Sequence, residues 1–285
     1  MSAVVTRAEA FPVIERPPLN RPRKRWTRLI LPTFTFLMIF YLALPVFVMI
    51  LYGFNHIPGD RQTAKFWGFT FQWYRDLFAF QNLTSALKAS LTIAPFSAAV
   101  ATALGTLLGL ALGRYRFRGK APTNFVIFLA IAVPEIVLGS SLLALFLQLK
   151  GIRLGYPSVL ISHISFSIPF VAVTVRARVQ GLDRALEDAA QDLFANPVVA
   201  FFKVTLPLIA PAILAGFLLA FVLSLDDFVI TNFVSGSLQT FPIWVFGATR
   251  IGLPPQVNVM GTLLFSAGIL AAIVNVLVQR RRARA

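Results

Sequence analysis

The chain has 285 residues, 57% of them hydrophobic and 13% charged, with a mean hydropathy of +0.76. A soluble domain carries about a quarter charged residues, so a soluble globular fold is excluded. Cysteine is absent, which excludes disulfides and thiolate metal sites.

Six apolar runs reach the length of about 20 residues that lets a helix cross a bilayer. They cover roughly 29–52, 86–113, 123–147, 158–176, 208–234 and 257–279. The runs are continuous rather than alternating, so strands are a poor reading. The expected fold is an all-α membrane protein with six transmembrane helices.

Residues 1–28 are rich in Pro and Arg and lack periodicity, which predicts a disordered basic tail. Within it, RPRKRWTR (Arg21–Arg28) is suited to membrane lipid headgroups. The first run contains Pro45, a kink site, and its apolar part exceeds the ~7–15 residues of a cleaved signal. The segment 53–85 carries Trp67, Trp73 and Tyr74, and FTFQWYRDLF (Phe69–Phe78) predicts a helix lying at the membrane interface.

The second run places Ala101, Gly105, Gly109 and Gly113 four apart on one helix face. Such a face lets another helix approach closely, either within the chain or from a second subunit. The loop RYRFRGK (Arg114–Lys120) does not form a phosphate loop. Five residues separate its glycines where the motif has four, and Ala121 follows Lys120 where Ser or Thr is required. No other segment offers a nucleotide cradle. The histidines, His56 and His163, have no spacing that suggests a triad or a metal site. No catalytic residue and no bound cofactor are therefore expected in this chain. His163 is read as a packed, hydrogen-bonded residue near the outer end of the fourth span.

Assigning alternate sides to the segments puts 19 of the 26 Lys and Arg on one side and 7 on the other. The richer side is cytoplasmic, so both termini are expected inside, including the basic C-tail 280–285. The net charge of +15 thereby follows from topology, and no nucleic acid is needed as a partner.

Eleven acids are present, and three lie within spans: Glu135, Asp226 and Asp227. A carboxylate at mid-membrane costs about 2.5–3.5 kcal/mol on insertion scales, so such residues face a cavity or a partner. By helical rise, Glu135 is expected near the midplane and the aspartates toward the outside. Adjacent residues diverge by about 100°, so one aspartate faces a pathway and the other a helix contact. Spaced carboxylates suit a polycation, and Phe228, Phe233 and Trp244 could add cation–π attraction. The competing structural reading pairs Asp226 or Asp227 with Arg250 and lets Glu135 satisfy backbone groups loosened at Pro134.

The inside loop 177–207 contains LEDAAQDLFANP (Leu186–Pro197). On a helix, Leu186, Ala189, Ala190, Leu193 and Phe194 form one apolar stripe, with Glu187, Asp188, Gln191 and Asp192 largely on the other side. Asn196-Pro197 reads as an N-cap followed by Pro at the first helical position. A second short helix would run to Leu206, and Pro207 would break or kink it. The acids disfavour an anionic lipid surface and favour a protein docking element.

DAAQDLF (Asp188–Phe194) followed by VTLP (Val204–Pro207) resembles the EAA loop of ABC importer permeases, whose pattern is Glu-Ala-Ala-x-x-x-Gly and, further on, Ile-x-Leu-Pro. Asp188 replaces the usual Glu and Phe194 the usual Gly. The resemblance implies a type I ABC importer permease with a coupling helix docked on a separate ATPase, through Leu186, Glu187, Asp188, Ala189, Ala190, Leu193, Phe194 and Pro197. PEIVLGSSLLALF (Pro134–Phe146), SHISFSIPFVAVTVRARVQGLD (Ser162–Asp183) and SLDDFVITNFVSG (Ser224–Gly236) look like the spermidine/putrescine branch. The likeness covers about residues 85–279. It implies an ATPase subunit dimer that holds ATP and Mg, a second permease, a periplasmic substrate-binding protein and a bacterial inner-membrane location. Glu135, Asp226 and Asp227 become candidates for the substrate pathway. The same architecture could carry an opine, an amino-acid derivative or a phosphonate. An ion-coupled secondary carrier is the contrasting class, and the absence of a convincing repeat speaks against it.

Overall fold

The computed structural model describes residues 27–59, 61–62, 65–149 and 151–282. Most of the expected N-terminal tail, up to residue 26, and residues 283–285 of the C-tail lie outside this range. The elements are α1 (Thr27–Gly53), α2 (Gln72–Arg75), α3 (Gln81–Arg114), α4 (Lys120–Ala132), α5 (Glu135–Gln148), α6 (Tyr156–Gln180), α7 (Ala185–Asp192), α8 (Pro197–Ala200), α9 (Leu206–Asp226), α10 (Val229–Val234), α11 (Phe241–Thr249) and α12 (Gln256–Arg282). The all-helical expectation holds among the described residues, where the one β feature is an isolated bridge between Asn55 and Phe69.

By length and composition four stretches can cross a membrane: Leu29–Gly53, Gln81–Arg114, Tyr156–Gln180 and Pro197–Asp226. The pair α4 and α5 makes a fifth if taken as one bent span. The sixth expected span falls on α12, whose apolar described part is Gln256–Leu270.

The centre of the molecule is the trio α3, α6 and α9. A Cβ on Gly105 would meet Val171 at 2.6 Å, one on Gly109 would meet the Ala172 carbonyl at 2.7 Å, and one on Gly113 would meet Val179 at 2.7 Å. Numbers rise together on both helices, so α3 and α6 run parallel. Ser97 and His163 therefore lie toward one end, Arg114 and Gln180 toward the other. The glycine face is consumed inside the chain, where it replaces side-chain bulk with backbone contact. Helix α9 runs the other way, with Gly216 against Val171 and Ser224 against Ser97. Helix α1 packs on α12, with Met49 against Gly261. Most of its large side chains, Phe36, Tyr41 and Leu42 among them, point outward, as an apolar helix does when its solvent is lipid.

Several expectations need correction. The third span is not straight: α4 and α5 meet at 107°. Pro134 has no N–H and forces the preceding residue out of the helical region, and Val133 accordingly sits at φ −68°, ψ 131°. The depth assigned to Glu135 along a straight helix does not apply. The fifth span also breaks, at Asp227, whose backbone is extended at φ −62°, ψ 121°. The interfacial helix over Phe69–Phe78 shrinks to the single turn α2. Trp73 there is buried and donates its indole N–H to the Asn55 carbonyl at 2.8 Å, so it belongs to a core cluster with Leu83 and Met260 rather than to an aromatic belt. Pro207 does not break the chain before the fifth span. The ladder widens at Phe201–Thr205 into a π-helical turn, with the Leu206 N–H reaching back to Phe201 O, and the helix continues. The wide turn is where the missing Pro207 donor and its ring are accommodated.

Candidate functional site

Two places concentrate polar chemistry. The first is the break between α9 and α10. Asp227 stands just before α10 and its carboxylate accepts from Ile230 N at 3.3 Å, Thr231 N at 2.8 Å and the Thr231 hydroxyl at 2.6 Å. These N–H groups are the unpaired donors of a helix start, and the carboxylate also meets the positive end of the helix dipole. His163 of α6 adds an Nε2–Asp227 contact at 3.3 Å. Its Nε2 lies 2.8 Å from Thr231 Oγ1 and its Nδ1 2.6 Å from Ser224 Oγ. Ser97 of α3 closes the chain by donating to Ser224 Oγ at 2.8 Å. The His163 ring is 1% exposed and the Asp227 side chain 5%. His163 is thus the packed, hydrogen-bonded residue the sequence reading expected.

Asp226, the last residue of α9, is exposed and lines a cavity of about 480 Å³ together with Phe228, Phe241, Phe246 and Thr249. The rings of Phe228 and Phe246 lie 4.5 Å apart. An acid that shares a cavity with aromatic rings suits an organic cation. The suggested pairing of an aspartate with Arg250 is not formed among the described residues. The Arg250 guanidinium sits over the Phe246 ring, 5.1 Å from its centroid. Of the three aromatics singled out from sequence, Phe228 alone lines this cavity. Phe233 packs on Gly139 of α5, and Trp244 packs on the core cluster of Trp73 and Leu83. Phe246 joins the cavity two residues after Trp244 because α11 turns these two side chains to different sides, a direction that no spacing in the sequence gives.

Glu135 occupies the first turn of α5, directly after the other break, and is exposed. Its side chain makes no hydrogen bond or ion pair among the described residues, and it does not line the Asp226 cavity. The two broken helices nevertheless touch: a Cβ on Gly139 would lie 3.2 Å from Ile230 Cα and 2.8 Å from Phe233.

The second place is the loop at the opposite end of the trio. Helix α7 ends at Asp192, so Leu193 and Phe194 leave the expected stripe. Phe194 has φ 63°, its N–H bonds Gln191 O at 2.9 Å, and the Ala195 N–H bonds Ala190 O at 3.1 Å. This pair of bonds is the Schellman stop, in which the left-handed position usually belongs to Gly. Phe at that position costs roughly 1–2 kcal/mol. The ring it carries is 99% exposed, beside Leu193 at 82%. Asn196 then caps α8, accepting from Val199 N at 2.8 Å, with Pro197 at the first helical position, as expected.

Leu186, Asp188, Ala189 and Pro197 are exposed, and Ala190 is half-buried. Glu187 turns inward. It accepts from the Arg114 guanidinium at the end of α3 and from the Thr205 hydroxyl in the wide turn. Arg184 donates to the Arg114 carbonyl at 2.8 Å. The loop is thereby fastened to both α3 and the root of α9.

Residues 105–284 match the model of the family described as binding-protein-dependent transport system inner membrane component. The chain belongs to this family. It is 39% identical over 249 residues to the spermidine/putrescine transport system permease protein PotC of Haemophilus influenzae, covering 87% of this chain and 95% of that one. It is 40% identical to PotC of Escherichia coli K12, covering 86% and 91%. The putrescine transport system permease protein PotI of the same strain is 39% identical over 84% and 87%. Among solved structures, a bacterial ABC transporter involved in import of the acidic polysaccharide alginate has a chain with TM-score 0.66 and 16% identity, covering 93% of this chain and 99% of that chain. The methionine ABC transporter MetNI gives 0.56 and 15%, covering 73% and 97%. These likenesses identify the fold as that of ABC importer permeases. In this inner membrane component, the inward glutamate and the outward aromatic of the loop are the features that sequence pattern could not separate.

Proposed function

We propose that this chain is the permease subunit of an ATP-driven, binding-protein-dependent importer of polyamines, with Asp226 as the carboxylate offered to a cargo ammonium. The observation that carries the reading is the Asp226 cavity, in which one carboxyl group shares the lining with the Phe228, Phe241 and Phe246 rings. Relatives that are about 40% identical and named for spermidine and putrescine transport support it. In this reading six spans cross the inner membrane with both termini cytoplasmic. Glu135 is a second carboxylate on the path, spaced along it from Asp226. Asp227 serves the helix break.

The chain carries out no covalent reaction. Its exposed α7 surface, with Leu193 and Phe194, docks on an ATPase subunit dimer that holds ATP and Mg. A second permease completes the path, and a periplasmic binding protein delivers cargo. Glu187 transmits movement of α7 to α3 and α9 rather than touching the ATPase. Closure of the ATPases moves the loops together and switches the spans between inward and outward access.

The test is uptake of labelled putrescine and spermidine by cells lacking polyamine import, with the chain expressed beside its companion subunits. Uptake inhibited by polyamines alone, and lost in Asp226→Asn at matched membrane levels, supports the reading. A well-assembled, ATP-hydrolysing complex that moves no polyamine rejects this cargo.

A further inference from the structure

A histidine buried in an apolar bundle is costly unless both ring nitrogens are satisfied. His163 satisfies both, and the accounting of protons fixes how. Thr231 has one hydroxyl proton and gives it to Asp227 Oδ2 at 2.6 Å. The Thr231 oxygen can then only accept from His163 Nε2, 2.8 Å away, so Nε2 carries a proton. The same N–H is directed at Asp227 Oδ2 at 3.3 Å. On the other side of the ring, Ser224 Oγ sits 2.6 Å from Nδ1. One side chain of α6 therefore grips the last turn of α9, through Ser224, and the first turn of α10, through Thr231 and Asp227. These are the two segments that flank Asp226.

We infer that His163 is a positioning residue for the cargo site: it sorts the two adjacent aspartates, holding Asp227 in the buried network so that Asp226 alone is presented to the cavity. The inference rests on the reading of Asp226 as the cargo carboxylate. The chemistry is charge counting. With Asp227 clasped, the cavity offers one carboxylate, which suits one ammonium group at a time. With the clasp removed, Asp227 keeps the Ile230 and Thr231 donors but loses its tie to α6, so the α9–α10 break can shift and bring a second carboxylate beside the first. A cargo with three ammonium groups gains more from that than a diamine does.

The experiment uses the complete transporter in proteoliposomes, supplied with saturating binding protein loaded with putrescine or with spermidine. The readouts are cargo moved per ATP hydrolysed and the spermidine-to-putrescine ratio. His163→Ala is expected to lower putrescine moved per ATP about tenfold, the scale of losing a hydrogen bond to a charged group. It is expected to raise the spermidine-to-putrescine ratio severalfold. His163→Gln, which keeps an N–H donor for Thr231 and Asp227, should recover the wild-type ratio. Asp227→Asn placed in the His163→Ala background should also return the ratio toward wild type, because the extra charge is gone. A packing role would lower the amount of assembled complex without moving the ratio. Thr231→Val removes the bridging hydroxyl while keeping the side-chain shape, and it supplies the same readout if His163→Ala does not assemble. An unchanged ratio in assembled His163→Ala or Thr231→Val complexes overturns the inference. Asp226→Asn separates the two levels: if it lowers transport while the ratio stays fixed in the His163 variants, the sorting role alone fails. If Asp226→Asn is itself neutral, the cargo-site reading fails and the inference falls with it.

Discussion

The two broken spans make opposite use of a carboxylate at a helix start. At the α9–α10 break, Asp227 is enclosed by two backbone N–H groups, a hydroxyl and an imidazole. At the α4–α5 break, Glu135 stands exposed after Pro134. The first break is made by the acid, because an extended residue capped from within holds the chain out of helix. The second is made by the proline, so its acid is left over. An intramembrane acid is therefore not one kind of residue. Its role follows from whether the break needs it.

The comparison is broken most severely by Asp227→Leu. This change strands the Ile230 and Thr231 N–H groups and the Thr231 hydroxyl without an acceptor, while His163 keeps Thr231 Oγ1 and Ser224. A loss of about 3–5 kcal/mol is expected, since each of the several buried donors left unpaired costs about 1–3 kcal/mol. It should appear as a lower melting temperature of the purified complex in detergent. Next is Gly139→Val, placed where α5 and α10 meet. Its added carbons have Phe233 at 2.8 Å and Ile230 Cα at 3.2 Å to displace. Overpacking of that kind costs about 1–3 kcal/mol and should loosen both breaks together, read as faster proteolysis between α4 and α5 and after α9.

A third helix end sharpens the contrast. Phe194 holds a left-handed backbone with no side-chain partner to offset it, so Phe194→Gly should stabilise the isolated permease by about 1 kcal/mol. The same change should weaken co-purification of the ATPase, since the exposed ring is lost. Smallest of all in stability is Glu135→Gln, within about 0.5 kcal/mol as for an unengaged surface position. Its effect should instead be lower polyamine transport in the assembled complex.

Much of this arrangement was legible in the sequence, and the missing parts share a cause. Long apolar runs located the spans because burial in lipid needs only continuous hydropathy. The glycine spacing of Gly105, Gly109 and Gly113 gave a close-packing face, though not its partner. Asn196-Pro197 gave a helix start because capping is local. Hydropathy runs straight through both breaks, since a single Pro134 or Asp227 hardly alters it, and the groups loosened at Pro134 do not by themselves give a bend of 107°. An Asp followed four residues later by Thr, within an apolar run, is the signal of an internal helix cap that could have located the second break. The partners of His163 are out of reach of the sequence, because Ser224 and Thr231, with Ser97 behind Ser224, come from three other elements. Phe194 hid the helix stop at its own position, because a bulky aromatic is rarely found at positive φ.

The most direct measurement compares Asp226→Asn with Asp227→Asn in the complete transporter, recording melting temperature and putrescine moved per ATP hydrolysed. The account predicts that Asp226→Asn melts like wild type and loses about tenfold in transport, the scale of a charged hydrogen bond. It predicts that Asp227→Asn melts lower and, once normalised to assembled complex, loses less. A stable Asp227→Asn complex without transport, beside an Asp226→Asn complex that transports normally, would contradict it.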